Sequence, residues 1–283
     1  MSSTFTPFPA LRPLLGTALL AALAGCATTA APPATPVEAS VTTKAVGYLS
    51  AVAVPASLAL VPAPPAAGSA GFALDEQVSR EARALRDSPR FAQAHRDAEL
   101  GFPAGANQFS CAIDVEVDAV KTPALYRLLE RSRIDASAAT RTAKKHYQRP
   151  RPFMVNNEPT CSPEDEQDLR GNGSYPSGHT SIGWAWALIL SEIAPDRADA
   201  IQARGRNYGE SRLVCNVHWQ SDILEGRFMG AAAVARLHGN AAFNKDLMAA
   251  RKEIVAARKA GLHSSRDCAA EEAVLKVRPA SAL

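Results

Sequence analysis

The chain is 283 residues long and 47% hydrophobic, which is enough to form the buried core of one large domain or two small ones. Its 31 lysines and arginines exceed its 28 acidic residues by only three. Because this excess is small and no basic run or basic–aromatic stripe concentrates it, we exclude a nucleic acid as a structural partner.

The N-terminus has the pattern of a bacterial export signal. A single charge at Arg12 precedes a mostly apolar run over residues 14–23, and the segment ends in Leu23-Ala24-Gly25-Cys26. About ten apolar residues are too few to span a bilayer as a permanent helix. The last four residues resemble the lipobox of bacterial lipoproteins, so we predict a signal peptide over residues 1–25 and lipidation at Cys26. The simpler alternative is cleavage within the Ala-rich segment that follows.

Export would place the mature chain in the periplasm. Ala27 follows the cysteine, and by analogy with known lipoproteins it would not retain the chain in the inner membrane, so we expect a lipid anchor in the outer membrane. This anchor is the only membrane contact that the sequence predicts. Residues 26–45 consist mainly of Ala, Pro, Thr, Val and Ser, a composition typical of an extended tether.

Cysteine usage also fits an oxidising compartment. Four cysteines remain after Cys26, namely Cys111, Cys161, Cys215 and Cys268. An even number in an exported chain predicts two disulfides, and the sequence leaves three pairings open. The alternative is four buried thiols. A zinc site is disfavoured because no two of these cysteines lie within a few residues of each other.

Residues 46–283 are predicted to form a single domain, most of it helical. Its first segment, residues 46–65, is apolar but interrupted by four prolines, so we expect an extended arm that lies on the domain. Beyond residue 71, apolar residues recur with a period near 3.6, and Ser88-Pro89 is a typical helix start. The predicted helices cover residues 75–86, a segment that starts at 89, then 120–133, 134–146, 179–193, 196–208, 217–238 and 246–260, with a proline-rich loop over 149–170. One alternating run, residues 113–117, is too short to imply a sheet.

The first of three motifs pairs Lys144 with Arg151, with six residues between them, and Arg151 is followed by Pro152. Prolines on both sides of Arg151 restrict the backbone and hold the guanidinium in a set direction. A planar guanidinium suits two phosphate oxygens, while a lysine supplies a compact charge. Arg149 is the second candidate, because no lysine stands seven residues before it. Taken singly, each of these cations could be a solvated surface charge.

The second motif, Pro176-Ser177-Gly178-His179, lies between a Gly-rich loop and an apolar helix. The N-terminus of a helix has free N–H groups and a partial positive charge, so it binds anions. Ser177 adds a hydroxyl donor, and Gly178 allows an oxygen to approach the backbone closely. Alone, the motif is more simply a Ser-capped helix start.

The third motif contains Arg212, His218 and Asp222. His218 and Asp222 are four residues apart, so on a helix they would share a face and the carboxylate could accept the imidazole N–H. That bond would fix the tautomer and leave the other ring nitrogen free to attack phosphorus. Arg212 would provide another bidentate phosphate contact. In isolation, the histidine and the aspartate are more simply a surface pair.

Together the three motifs resemble those of the class A non-specific acid phosphatases, within the type 2 phosphatidic acid phosphatase and vanadium haloperoxidase superfamily. The similarity extends from about residue 48 to about residue 251. It implies an all-α, single-domain helical bundle of the acid phosphatase/vanadium-dependent haloperoxidase type. It also implies hydrolysis of small organic phosphate monoesters, with broad specificity and without a cofactor.

The resemblance further implies a role for each motif residue. His218 would be the nucleophile that forms a phosphohistidine and Asp222 would orient it, while His179 would act as general acid and then as base. The residues that would hold the phosphate oxygens are Lys144, Arg151, Ser177, Gly178 and Arg212. Because these fixed cations would take the part that Mg²⁺ plays in other phosphoryl transfers, no metal site is expected.

Three other functions stay open at this point. A vanadate-dependent haloperoxidase would use the same oxyanion site. A lipid-phosphate or diphosphate phosphatase would reach its substrate from the membrane surface. A phosphate-binding lipoprotein without catalysis is disfavoured, because binding alone does not need the pair of His218 and Asp222. The sequence leaves the physiological substrate open, and it does not decide whether the protein forms a homo-oligomer.

Overall fold

The computed structural model of the protein describes residues 45–283. The α-helices of this part run in the order α1 Ser57–Leu60, α2 Ala70–Arg83, α3 Pro89–Arg96, α4 Ala104–Asn107, α5 Ser110–Ile113, α6 Pro123–Ala138, α7 Arg141–Tyr147, α8 Pro152–Asn156, α9 Glu166–Arg170, α10 Gly178–Ile193, α11 Ala198–Val214, α12 Gln220–Leu237, α13 Ala241–Lys259 and α14 Cys268–Leu275. Short 3₁₀ helices precede α9 and α11. No β-strand forms between residues 45 and 283, and the predicted all-α fold is confirmed.

Helix α10 forms the centre of the bundle. It packs most extensively against α11 and α12 and also contacts α6 and α13. Because its residues are apolar on nearly every side, neighbouring helices cover it almost completely. Trp186 is fully buried at its midpoint, donates its indole N–H to the carbonyl of Leu129 at 3.0 Å, and meets Phe109 edge-on. The middle of α10 is thereby anchored in the hydrophobic core.

Two glycines bring α12 unusually close to the start of α10. A methyl group on Gly226 would lie 2.7 Å from the carbonyl oxygen of Ser177, and one on Gly230 would lie 2.5 Å from that of Ser181. Both distances are shorter than carbon–oxygen van der Waals contact, so the two backbones can approach this closely only with glycine at these positions. The N-terminal ends of the two helices therefore meet.

The segment over residues 46–65 lies on the domain, as predicted. The backbone N–H of Tyr48 donates to Asp135 at 2.7 Å, and the hydroxyl of Tyr175 donates to the carbonyl of Pro62 at 2.9 Å. The segment is irregular, with a turn at residues 51–53 and the short helix α1, where the Ser57 hydroxyl lies 2.9 Å from that of Thr142. The arm thus holds α6, α7 and the loop that precedes α10.

Between α6 and α10, the predicted helix pattern is wrong in two details. The predicted break between residues 133 and 134 does not occur, because α6 continues to Ala138 and the chain turns only before Arg141. The predicted loop over residues 149–170 contains α8 and α9. The proline at position 152 caused this second error, since it stands at the first position of α8, where a proline is favoured rather than disruptive.

The four cysteines form two disulfides, as predicted, and the structure selects one of the three pairings. Cys111 is bonded to Cys268 and Cys161 to Cys215. Among residues 45–283, no helix combines the length and the apolar character that a membrane crossing needs. The signal peptide, Cys26 and nearly all of the predicted tether lie outside the described residues.

Candidate active site

His218 is buried, with 3% of its surface exposed, and both ring nitrogens have partners. Nδ1 lies 3.1 Å from Asp222 Oδ2, and Nε2 lies 3.1 Å from a guanidinium nitrogen of Arg151. A guanidinium can only donate, so Nε2 accepts and Nδ1 carries the proton that Asp222 accepts. Burial, followed by the charge of Arg151, lowers the pKa of His218 well below its ordinary value. The ring is therefore neutral, with its Nε2 lone pair directed toward a cation.

The pair of His218 and Asp222 does not arise from a shared helix face, and that expectation was wrong. Helix α12 begins at Gln220, because Trp219 has an extended backbone, and His218 stands before the helix. Asp222 is the third residue of α12, and its carboxylate accepts the N–H of Trp219 at 2.8 Å as well as that of the imidazole. Half of a capping box thus sets the orientation of the carboxylate toward His218.

Asp222 is in turn held by a buried ion pair that the motifs did not reveal. Arg149 donates to Asp222 Oδ1 at 2.7 Å and, through its other terminal nitrogen, to Asp75 Oδ2 at 2.7 Å. Asp75 also accepts the N–H of Ser221 at 2.7 Å. Arg149 was the second candidate for the phosphate contact, but its guanidinium is engaged by two carboxylates. It is placed to orient Asp222 from behind.

Arg151 and Lys144 are fixed by backbone carbonyls rather than by acidic side chains. Arg151 donates to the carbonyls of Leu169, Asn172 and Val217 at 3.0–3.1 Å. Lys144 Nζ donates to the carbonyl of Gly173 at 2.6 Å. Burial first, and then the charge of Arg151, lower the pKa of Lys144 to about 7. Within residues 45–283, no carboxylate pairs directly with either of these two cations, so their charge is available to an anionic ligand.

Arg212 is fully buried, and none of its three guanidinium nitrogens has a hydrogen-bond partner among the described residues. A buried charged donor without partners is costly, and native proteins rarely contain one without a functional reason. Burial lowers the pKa of Arg212. Its backbone carbonyl accepts the N–H groups of Val217 and His218, both at 3.2 Å, so the turn that carries the imidazole is anchored to this residue. The arrangement fits an oxyanion that arrives with the substrate.

Ser177 caps α10, as predicted, and its environment ties the second motif to the third. Its Oγ accepts from Thr180 N at 3.2 Å and from the Thr180 hydroxyl at 2.9 Å, which leaves its own hydrogen for another acceptor. Its N–H donates to the carbonyl of Asp222 at 2.9 Å. A methyl group on Gly178 would only meet Thr140 and Lys144 at 3.6 Å or more. The protein itself does not require glycine there, so the space beside Lys144 is available to a ligand.

His179 follows at the first turn of α10. Its Nε2 lies 2.8 Å from the carbonyl of Ala98, which can only accept, so Nε2 carries a proton. Burial and then the charge of Arg212 lower the pKa of His179 well below its ordinary value. Nδ1 is therefore the nitrogen that is free to gain and lose a proton.

A cavity of about 450 Å³ brings several of these residues together. It is lined by Leu100, Ser137, Thr140, Arg141, Lys144, Lys145, Gln148, Arg151, Leu169, Gly171, Asn172, Gly178, His179, Ile182 and His218. Ser177, Arg212 and Asp222 do not line it and are fully buried. No group of three or more His, Cys, Asp or Glu side chains within residues 45–283 could hold a metal ion.

Comparison with known proteins agrees with this site. The sequence profile of the PAP2 superfamily matches residues 133–244, which contain all three motifs. A non-specific acid phosphatase of Providencia stuartii is 44% identical over 204 residues, covering 72% of this chain and 82% of that protein. The non-specific acid phosphatase of Salmonella typhimurium and the acid phosphatase of Zymomonas mobilis are each 40% identical over 195 residues, or 69% of this chain, and are covered to 78% and 74%. The chain belongs to the class A non-specific acid phosphatases.

Two features of this acid phosphatase could not have been found from the motifs. Asp75 stands 74 residues before its partner Arg149, in a helix with no unusual pattern, so no local signal marked it. The basic residues Arg141 and Lys145 on the cavity wall appear in the sequence as ordinary charges of a surface helix. The only sequence signal that could place Arg141 and Lys145 at the site was their closeness to Lys144, which stands three residues after Arg141 and directly before Lys145.

Proposed function

We propose that this acid phosphatase hydrolyses phosphate monoesters of small organic alcohols through a phosphohistidine at His218, without a metal ion. One observation carries the proposal. A buried neutral imidazole, with its proton fixed on Nδ1 by Asp222, shares its surroundings with buried cations. The guanidinium of one of them, Arg212, has no hydrogen-bond partner among the described residues. A phosphate group is the ligand that would satisfy both the cations and the nucleophile.

In the first step, the Nε2 lone pair of His218 attacks phosphorus and the bond from phosphorus to the ester oxygen breaks. Nε2 leaves its contact with Arg151, which is then free to donate to a phosphate oxygen. The imidazole becomes positively charged, and the Asp222 carboxylate stabilises that charge at Nδ1. Because Arg149 and Asp75 hold Asp222, the ring needs little reorientation during the reaction.

The ester oxygen leaves as an alcohol once it has received a proton, which we assign to His179 Nδ1. The pKa of His179 is low in the free protein, but a bound phosphate dianion would offset the charge of Arg212 and raise it. In the second step, a water molecule gives a proton to the same nitrogen and attacks phosphorus. The bond from phosphorus to Nε2 breaks, and inorganic phosphate is released.

Stabilisation of the transition state is assigned to Lys144, Arg151 and Arg212, together with the Ser177 hydroxyl and the backbone N–H of Gly178. Fixed donors in a dry site cost no reorganisation when charge develops on the phosphate oxygens. Two guanidinium groups and an ammonium group supply the positive charge that Mg²⁺ supplies in many other phosphoryl transfers. We therefore expect activity in the presence of a chelator.

The test measures phosphate release from p-nitrophenyl phosphate and from an alkyl phosphate, with EDTA present throughout. His218→Ala should be inactive on both esters. His179→Ala should lose most activity on the alkyl ester but retain more phosphoenzyme formation from the nitrophenyl ester, whose leaving group hardly needs a proton. His238→Ala, an exposed histidine beside Glu192, is the matched control and should behave as wild type.

Three results would count against the mechanism. Activity in His218→Ala would show that His218 is not the nucleophile. Loss of activity with EDTA, restored by a divalent metal, would show that the enzyme depends on a metal ion. An equal loss of activity on both esters in His179→Ala would show that His179 is not the general acid. Bromide oxidation with vanadate and peroxide would favour the haloperoxidase alternative instead.

We also propose that the enzyme is exported and anchored to the outer membrane through a lipid on Cys26. The Leu23-Ala24-Gly25-Cys26 sequence and the two disulfides support an oxidising, extracytoplasmic location. Incorporation of a labelled fatty acid into the wild type, but not into Cys26→Ser, is the expected result. Labelling of both proteins, or of neither, would contradict it.

A further inference from the structure

One wall of the active-site cavity is formed by a single face of α7. Arg141, Lys144 and Lys145 line the cavity, and Arg141 stands three and four residues before the two lysines, so all three lie on the same side of α7. Gln148, which also lines the cavity, follows the helix as its C-cap. Lys144 is largely withdrawn from solvent and donates to the carbonyl of Gly173, whereas the other three are exposed. The wall therefore has an inner cation near the proposed phosphate position and two outer cations near the solvent.

The two outer cations have no acidic partner in the part of the chain that the structure describes. Within residues 45–283, neither Arg141 nor Lys145 has a side chain that makes a hydrogen bond or an ion pair, and no aspartate or glutamate lines the cavity. The helix dipole favours Lys144 and Lys145, which lie in the last turn of α7, but Arg141 stands three and four residues before them, and like charges at these spacings repel each other. A ligand with negative charge at two points would relieve this repulsion.

We propose that Arg141 and Lys145 form an outer anion subsite that binds a second phosphate group of the substrate. The inference rests on the proposed function and extends it, because it names organic bisphosphates as the preferred substrate class. The cavity volume of about 450 Å³ accommodates two phosphate groups joined by a sugar-sized skeleton. Leu100, Leu169 and Ile182 on the cavity wall would contact the carbon atoms between them.

A second phosphate group fits these residues better than a carboxylate does. A phosphate ester carries close to two negative charges at neutral pH, which matches one guanidinium and one ammonium, and the guanidinium can donate to two of its oxygens at once. Because both cations are exposed, each contact is modest and weakened by salt. The effect should appear as a lower KM with little change in kcat.

The experiment compares glucose 1,6-bisphosphate with glucose 6-phosphate at low ionic strength, as initial rates of phosphate release. We expect kcat/KM of the wild type to be about tenfold higher for the bisphosphate. In the Arg141→Gln/Lys145→Gln double variant the ratio should fall to about two, the statistical value for two phosphate groups, with activity on p-nitrophenyl phosphate nearly unchanged. Arg251→Gln/Lys252→Gln removes the same charge from α13, outside the cavity, and should keep the wild-type ratio.

The outcomes separate this inference from the proposed mechanism. A wild-type ratio near two, or an equal ratio in wild type and the α7 double variant, would overturn the subsite. An equal fall in the α13 control would also overturn it, because the effect would then come from the net charge of the molecule. Failure of the proposed function would appear differently, as activity in His218→Ala or no hydrolysis of either sugar phosphate by the wild type.

Discussion

At the scale of single residues, the buried guanidinium of Arg212 is the feature with the largest expected effect. Its three nitrogen atoms have no hydrogen-bond partner within residues 45–283, although Arg204, about two turns earlier on the same helix, is paired with Asp97 and Glu271. Two arginines of one helix are therefore both buried, but their effects on the stability of the free protein are opposite. The unpaired charge destabilises the free protein, whereas the paired one is part of its structure.

We predict that Arg212→Met stabilises the free protein by about 1–3 kcal/mol, since an apolar side chain of similar volume removes a desolvated charge. Phosphate at a hundred times its Kd should stabilise the wild type by about 2.7 kcal/mol and the variant not at all. Activity should fall by roughly 10²–10³. Thermal unfolding with and without phosphate measures the first two effects.

The control is Arg204→Met, which removes the paired guanidinium and should lower the free energy of unfolding by about 3–5 kcal/mol. Equal losses of stability in both variants would show that Arg212 has a structural role.

Lys144 links the site to pH. A lysine is charged below its pKa and neutral above it, and burial lowers the pKa of Lys144 to about 7. The contribution of its charge to phosphate binding is therefore present below pH 7 and lost as the pH rises through 7. His218, with a pKa well below its ordinary value, stays neutral in the same acidic range. Both shifts favour activity on the acid side of neutrality.

The corresponding prediction concerns the alkaline limb of the profile of kcat/KM against pH. In Lys144→Arg the guanidinium stays protonated, so the fall near pH 7 should move to higher pH. Comparing the variant with the wild type on the same ester cancels the titration of the substrate. An alkaline limb that does not move would mean that another group sets it.

Asp75 is predicted to act as a positioning residue through Arg149. Asp75→Asn should lower kcat about tenfold and leave KM nearly unchanged, because Asp222 loses a fixed partner while the phosphate contacts remain. The loss of a negative charge should also move the acid limb to lower pH. Asp246→Asn is the control, since that carboxylate pairs with Arg127 outside the cavity; it should lose stability and keep kcat. A normal kcat and acid limb in Asp75→Asn would contradict the role.

At the scale of helices, the close approach of α10 and α12 aligns the second and third motifs. The N–H of Ser177 reaches the carbonyl of Asp222 only because Gly226 allows the two helix starts to meet. The geometry of the site therefore depends on a residue that touches neither substrate nor nucleophile.

Gly226→Ala should separate these helix starts and lower kcat/KM about a hundredfold, with a loss of about 1–3 kcal/mol in the free energy of unfolding. Gly239→Ala, where a methyl group would meet only the carbonyl of Arg236 at 3.4 Å, should change neither quantity. Kinetics and denaturant unfolding of both variants provide the comparison. Full activity in Gly226→Ala would mean that the site tolerates this displacement.

The sequence predicted helices best where a local signal marks their start. Ser88 with Pro89 and Ser177 with Gly178 each begin a helix at the expected residue. The sequence did not predict helix starts that are set by tertiary contacts. The start of α12 is one of them, because the capping contact of Asp222 depends on the turn before the helix. The role of Arg149 was equally hidden, since it follows from the folded position of Asp75. Motif chemistry could be read from residue types, but the residues that support it could not.

At the scale of the whole molecule, the two disulfides join segments that are far apart in the chain. Cys161–Cys215 closes a separation of 54 residues and ties the loop after α8 to the turn that follows Arg212. Cys111–Cys268 closes a separation of 157 residues and attaches the start of α14 to α5. Only the first lies within a few residues of the site.

Removal of either disulfide, as Cys161→Ala/Cys215→Ala or Cys111→Ala/Cys268→Ala, should therefore cost roughly 4–5 kcal/mol by loop entropy. Only the first double variant should also lower kcat under conditions where both proteins are folded, because the segment between Arg212 and His218 loses its anchor. Unfolding curves and initial rates on the same preparations measure this. Equal kinetic effects in the two variants would contradict the distinction.

The guanidinium of Arg212, which has no partner within residues 45–283, has a consequence for turnover as well as for stability. Inorganic phosphate presents the same oxygens as the ester group, so the unpaired guanidinium should retain the product too. Hydrolysis should slow as product accumulates, and a phosphate-based buffer should mask much of the activity. We therefore expect the rate of hydrolysis to be highest where free phosphate is scarce and to fall where it is plentiful.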